Sequence, residues 1–235
     1  ADLSETLIKK IKIANRISPD HRFCSPAEKL DGGGGTTVTP VRRGLPADRV
    51  VAIAASTGGP PALETVFSGL TADLPAAYVI VQHLPAGFTA SLARRLSRVT
   101  DIPVTEVEAG MPVETGVAYL APHGSHMRIV GMSVKRRGLE DGPPLHGVRP
   151  AADPLLESVA SSYGDRAVGV VLTGMGADGA AGLKLIRDAG GETIAQDEET
   201  SVVWGMPGAA TRSGAALHVV PLGSVSAEIR RAVRG

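Results

Sequence analysis

Apolar residues arrive along this chain in two rhythms. From Val50 onward, short runs that are apolar or β-branched at every position ("RVVAIAA", "AYVIVQ" and later "AVGVVLT") alternate with stretches whose apolar positions recur three and four residues apart. The first pattern belongs to strands covered on both faces, and the second to helices with one buried face. Their alternation predicts an α/β fold: a three-layer, doubly wound, mostly parallel sheet with helices on both faces. One helix is expected after Pro60, another from Phe88 to Val99, and another after "AVGVVLT". In the second of these, Phe88, Leu92, Leu96 and Val99 form the expected buried stripe, and Arg94, Arg95 and Arg98 face outward.

Between the two halves the texture changes. "VTEV", "GVAYLA", "HMRIV" and "MSVKRR" are short, separated by turns and alternate apolar with polar, so they predict a β-hairpin at one edge of the sheet. The segment from Glu192 to the C-terminus supplies two more short strands and two or three short helices.

Before Asp48 the pattern is different again. Leu3, Leu7, Ile8 and Ile11 recur at helical spacing, predicting a short amphipathic helix over 3–14. Residues 15–47 include four consecutive glycines and much Pro and Thr, a composition that does not bury enough to order itself. The expected organisation is a helical stub and flexible interdomain linker over 1–47, followed by one catalytic domain over 48–235.

Composition narrows the classes. Of 235 residues, 43% are hydrophobic and 20% charged, which suits one α/β domain with a substantial core. Lys+Arg and Asp+Glu both number 24, so no overall basic field argues for nucleic acid or an acidic membrane surface. The single cysteine, Cys24, excludes an internal disulfide framework and fits a reducing cytoplasm. No apolar run approaches the ~18–20 residues of a membrane span, and the N-terminal segment lacks the apolar core of a signal peptide. A soluble, cytoplasmic, monomeric protein is expected.

In an open parallel sheet, residues just beyond the carboxyl ends of the strands converge on one crevice. Here those positions hold Ser56, Thr57 and Gly58 after the first strand and His83 after the second. After "VGVVLT" they hold Gly174, Met175, Gly176 and Asp178. Serine needs an imidazole to take its proton and a carboxylate to orient and stabilise that imidazole, and all three residue types are present. "ASTGG" is also a loose version of the nucleophile elbow, with Ala54 in place of the first glycine. The glycines leave room for a substrate near the backbone, and the helix beginning near Pro60 points its N-terminus at the site. That geometry suits an oxyanion or a bound phosphate, and the turn by itself does not choose between them. Asp178 also reads as a helix N-cap.

The other candidates carry less. His123 and His126 are three apart, without Cys or carboxylates at ligand spacing, so a zinc site is not expected. His126 is a candidate for the cleft wall. His21, His146 and His218 read as structural or solvent-facing, and Trp204 as core or cleft wall. "VKRRG" reads as a solvated hairpin. No phosphate-loop motif is present, and the four glycines at 32–35 follow no strand.

Five blocks, "VAIAASTGGPPAL", "VIVQHLPAGFTASLARRL", "GVAYLAPHGSHMRI", "VLTGMGADGAAGLKLIRDAGG" and "AQDEETSVVWGMPGAA", together resemble the catalytic domain of the bacterial chemotaxis protein-glutamate methylesterases and glutamine deamidases, the CheB family. The resemblance runs from about Arg49 to the C-terminus. It implies a serine hydrolase with Ser56 as nucleophile, His83 as base and Asp178 as orienting carboxylate, and no cofactor. It also implies an oxyanion site at the Met175 amide with Thr57 or Gly58. The implied substrates are glutamate γ-methyl esters, and in some members glutamine, on the cytoplasmic helices of methyl-accepting chemoreceptors. The family carries an upstream receiver domain that covers the active site until it is phosphorylated. Nothing in the 235 residues resembles that domain, and the chain begins at Ala1 without an initiator methionine. An effector lacking its receiver, and free of phosphorylation control, is therefore expected. Two departures, His123 in place of a Gly-rich turn and Ala151 in place of a serine after Arg-Pro, bear on fine substrate preference. The alternative from another class is a non-catalytic binding module of a diverged paralogue in a non-chemotaxis pathway. The presence of Ser56, His83 and Asp178 favours the hydrolase.

Overall fold

The computed structural model describes residues 45–108, 110–130 and 142–235, which lie in the unit Val41–Gly235. The helix expected over 3–14, and all of the linker but its last residues, fall outside this description. Ala47 is fully buried and Pro46 bridges Glu114, so packing begins before Asp48.

Seven strands form one sheet: β1 (Arg49–Ala55), β2 (Ala76–Gln82), β3 (Val104–Glu106), β4 (Ala118–Leu120), β5 (Ala167–Val171), β6 (Glu192–Gln196) and β7 (His218–Val220). Their spatial order is β3-β4-β2-β1-β5-β6-β7, and every pairing is parallel. The chain steps outward from β1 through β2 and returns to the other side of β1 with β5. The switch point of the sheet therefore lies between β1 and β5, where the strand-end crevice of such folds opens.

Six helices cover the sheet among the described residues: α1 (Gly59–Ser68), α2 (Thr89–Leu96), α3 (Ala152–Tyr163), α4 (Ala180–Asp188), α5 (Met206–Arg212) and α6 (Leu222–Arg234). Side chains alternate across β1, which explains its unbroken apolar run. Val50, Ala52 and Ala54 pack with Leu155, Leu156 and Val159 of α3, Leu183 and Ile186 of α4, and Met206 of α5. Val51, Ile53 and Ala55 pack with Leu63, Val66 and Phe67 of α1, Leu92 and Leu96 of α2, and Val225 and Ile229 of α6. Each fully buried aliphatic side chain contributes about 1.5–3 kcal/mol, so the two-sided core anchors the strand whose end carries Ser56.

Two expectations are corrected. Of the four stripe residues expected in α2 only Leu92 and Leu96 are buried, with Thr89 and Ala93 beside them, since Phe88 is 57% exposed at the N-cap and Val99 lies exposed beyond the helix end. A short helix that leaves the sheet within two turns has no partner for residues at its margins. The edge hairpin is the second correction. "VTEV" and "GVAYLA" form β3 and β4, which pair in parallel. The intervening segment returns the chain to the starting end of the sheet, pinned by Thr115 N–H to Leu45 O (3.1 Å) and Gly116 N–H to Ala76 O (2.9 Å). Alternation shows that a strand has two unlike faces but does not give the direction of its neighbour. "HMRIV" lies outside the seven strands, with Met127 and Ile129 buried in the core, and "MSVKRR" falls outside the described residues.

Candidate active site

The site begins where the ladder between β1 and β2 ends. Ala55 pairs with Gln82, and one further bond, His83 N–H to Ala55 O (3.0 Å), carries the register one step on. Ser56 and His83 therefore stand side by side on adjacent strands, whose usual spacing is about 4.8 Å. On its other flank Ser56 N–H donates to Thr173 O (3.0 Å) beyond β5. The chain then turns sharply: Gly58 has φ +81°, and Gly59 N–H closes back on Ser56 O at 2.8 Å.

The glycines of this turn serve the protein's own packing. A Cβ on Gly58 would lie 2.7 Å from Val202 Cβ, and one on Gly59 would lie 1.9 Å from Gln82 Oε1. The expectation that they clear space for substrate is corrected accordingly. Gln82, 3% exposed, fills the space beside Gly59 and donates from Nε2 to Ser56 O (2.9 Å) and His83 O (3.0 Å).

The phosphate alternative also weakens here. An anion cradle at a helix start needs free amides in the first turn. In α1 the Gly59 amide is already bonded to Ser56 O, and Pro60 and Pro61 have none. Among the described residues, the amides of Thr57 and Met175 meet no acceptor. Thr57 is exposed, its carbonyl accepting from Thr173 Oγ1 (3.0 Å), and the Met175 side chain is 67% exposed. Met175 follows Gly174, whose position against Ser56 admits no side chain: a Cβ there would lie 2.7 Å from Ser56 Cβ.

Asp178 completes the constellation from the loop after β5. It is 2% exposed, and its Oδ2 lies 2.8 Å from His83 Nε2. The same oxygen accepts the Ala152 amide (2.6 Å), and Oδ1 accepts the Asp153 amide (3.0 Å). Asp178 thus caps α3, a helix distant in sequence, whose own N-cap residue Ala151 has no capping side chain. The helix that follows Asp178 is entered through Gly179 at φ +87°, so the N-cap expectation is corrected to a different helix. Asp153 reciprocates, its Oδ1 accepting the Gly182 amide in the first turn of α4 at 2.8 Å. Burial alone raises the Asp178 pKa, but the His83 bond and the two amides outweigh it and leave the carboxyl below its ordinary range. The positive end of α3 acts in the same direction.

With Asp178 ionised, the His83 proton belongs on Nε2, which leaves Nδ1 as the basic nitrogen. Ser56 Oγ has no hydrogen-bond partner among the described residues. A cavity of about 250 Å³ opens against His83, lined also by Leu84, His123 and Gly147–Pro150.

One histidine differs from expectation, and a second, exposed as expected, makes a contact that its sequence surroundings do not signal. His126 is 3% exposed and no part of the cleft wall. Its Nδ1 accepts the Ala151 amide (3.0 Å) and its Nε2 donates to Pro143 O (3.2 Å). It therefore pins the turn that enters α3. His146, read as structural or solvent-facing, lies 2.8 Å from Asp153 Oδ2 and 3.8 Å from Asp178 Oδ1, at φ +53°. Nothing in the Gly/Pro-rich segment around it signalled that placement, because the contact joins residues that only the fold brings together. His146, Asp153 and Asp178 present ligand atoms within 4.8 Å of one another. Their carboxylate oxygens already accept amides or ring N–H groups. Trp204 bridges Gly174 and donates to Gln196 O (3.2 Å), in keeping with a wall of the crevice.

Fold and site together define an open, parallel α/β domain with a Ser-, His- and Asp-bearing crevice at the sheet's switch point. The CheB methylesterase family model matches residues 51–229, and the chain belongs to that family. It is 45% identical, over 97% of its length, to the protein-glutamate methylesterase/protein-glutamine glutaminase of Symbiobacterium thermophilum, of which it covers 65%. The protein of the same name from Pyrococcus horikoshii is 48% identical over 82% of this chain and 53% of its own length. The chain thus spans about half to two thirds of these curated relatives. The crystal structure of the Thermotoga maritima CheB methylesterase catalytic domain superposes with a TM-score of 0.74 at 37% identity, covering 78% of this chain and 97% of that one.

Proposed function

We propose that this domain is a serine hydrolase that demethylates glutamate γ-methyl esters on the cytoplasmic helices of chemoreceptors. Ser56 Oγ attacks the ester carbonyl carbon while His83 Nδ1 takes its proton, and Asp178 stabilises the resulting imidazolium. The tetrahedral oxyanion is held by the Met175 amide with that of Thr57 or Gly58. Collapse breaks the bond to the methoxy group, which leaves as methanol with the proton from His83. Water, deprotonated by His83, then hydrolyses the acyl-Ser56 ester, giving glutamate and free serine. A glutamine side chain would follow the same path with ammonia as the leaving group.

The observation that carries this reading is the His83–Asp178 contact of 2.8 Å, placed one strand away from Ser56. The names of the relatives support the substrate class. In the parent protein the catalytic domain, whose packing already includes Ala47, follows a receiver domain and works in the cytoplasm as a monomer. Among the described residues, no helix is long and apolar enough to cross a membrane.

The test is methanol release from methylated receptor fragments by the wild-type chain and by Ser56→Ala. Release by wild type with loss of at least about 10³-fold in the variant is expected. Equal rates overturn the mechanism, and release by neither protein from any receptor fragment overturns the substrate class. Ammonia release from glutamine-bearing fragments reports the deamidase reaction in the same assay.

A further inference from the structure

We infer that Gln82 is a positioning residue that locks the backbone of the nucleophile to that of the base. This rests on the hydrolase reading above and deepens it. Parallel pairing between β1 and β2 ends with the bond from His83 N–H to Ala55 O, so the carbonyls of Ser56 and His83 lie beyond the ladder. The carboxamide of Gln82 spans both, with Nε2 donating to Ser56 O at 2.9 Å and to His83 O at 3.0 Å. One rigid group thereby sets the separation of the two reacting residues, as a further rung of the sheet would have done.

Two further observations show that this is a specific arrangement and not incidental filling of a core position. Gln82 is 3% exposed, and its Oε1 is buried without a partner among the described residues, an unfavourable feature that an apolar side chain would avoid. The glycine at 59 is also required by it, because a Cβ there would lie 1.9 Å from Oε1 and 2.8 Å from Cδ. The helix that follows Ser56 starts with a glycine so that the clamp fits. An amide is needed for its two N–H donors, and neither an apolar residue nor a carboxylate supplies them.

The experiment compares wild type, Ser56→Ala, Gln82→Met and Gln82→Glu. It measures phosphonylation of the active-site serine by a small p-nitrophenyl phosphonate, which needs no receptor, and then kcat, KM and pH profile for methanol release. Gln82→Met keeps the volume and removes both donors. Its phosphonylation rate and kcat should fall about tenfold or more, with KM within about twofold of wild type, because a displacement well under 1 Å already disturbs near-attack geometry. Gln82→Glu regains one donor only when its carboxyl is protonated. Its rate relative to wild type should therefore rise as pH falls, a response that loss of packing would not produce. A folded Gln82→Met chain phosphonylated at the wild-type rate overturns the inference alone. If Gln82→Met does not fold, a flat ratio of Gln82→Glu to wild type across pH overturns it instead. A wild-type chain labelled no faster than Ser56→Ala overturns the hydrolase reading and this inference with it.

Discussion

Gly59→Ala isolates one contact and predicts a result opposite to that of helix propensity. Gly59 is the first residue of α1, and replacing a helical glycine by alanine would ordinarily gain up to about 1 kcal/mol. Here the new methyl group would enter at 1.9 Å from Gln82 Oε1 and 2.9 Å from Ala55 Cβ. The carboxamide must withdraw, and its bonds to Ser56 O and His83 O are lost. At about 1–1.5 kcal/mol each, the two bonds account for about 2–3 kcal/mol. Overpacking adds about 1–3 kcal/mol, which offsets or exceeds the gain in propensity. A net destabilisation of about 3 kcal/mol lowers Tm by about 6–12 °C in a domain of this size. Thermal unfolding followed by far-UV circular dichroism measures it. Adding Gln82→Ala removes the nearer obstacle and leaves the 2.9 Å approach to Ala55 Cβ, so Gly59→Ala should cost less in the Gln82→Ala background than in wild type, a coupling of about 1–3 kcal/mol. A Gly59→Ala Tm equal to or above that of wild type, or simple additivity in the cycle, refutes the reasoning.

Asp178→Asn should reduce hydrolysis by at least about 10³-fold while leaving the chain folded, measured as methanol release. Because the folded-state pKa of Asp178 is lowered, its contribution to stability is fully present above the unfolded carboxyl value of about 4 and is lost as pH falls through the folded value. Urea denaturation of wild type and Asp178→Asn should therefore give a stability difference that is constant near neutrality and shrinks below about pH 4; a difference that widens on acidification would contradict the assignment. Asp153→Ala removes the acceptor for the Gly182 amide at the start of α4 and should cost about 1–2 kcal/mol by urea denaturation. Asp153→Asn, which keeps an oxygen at that position, should recover most of the loss.

Much of the fold was legible because its cause is local. Strands buried on both faces must be apolar at every position, so "VVAIAA" and "YVIVQ" announced central strands of a helix-covered parallel sheet. The strand-end rule then selected Ser56, His83 and Asp178 without any contact being known. The "GGPP" start of α1 already contained the argument against a phosphate cradle, since proline has no amide hydrogen to offer. The edge was misread because alternation in "VTEV" and "GVAYLA" is the same for parallel and antiparallel neighbours. Strand direction is decided by where the connecting segment can travel, and here it returns past Leu45 and Ala76.

The chain's own order of residues thus determined the class of fold, the crevice and the three residue types available there, through periodicity and the position of polar residues just past apolar runs. Tertiary structure alone decided what those residues do to one another. It made Asp178 the cap of a helix that begins 26 residues earlier, and it turned the glycine after Gly58 from apparent substrate space into a seat for Gln82. It also brought His146 beside the Asp153–Asp178 pair. Each of these contacts joins segments remote in sequence at distances of a few ångströms, where hydrogen-bond geometry and exclusion between atoms, and not local propensity, set the outcome.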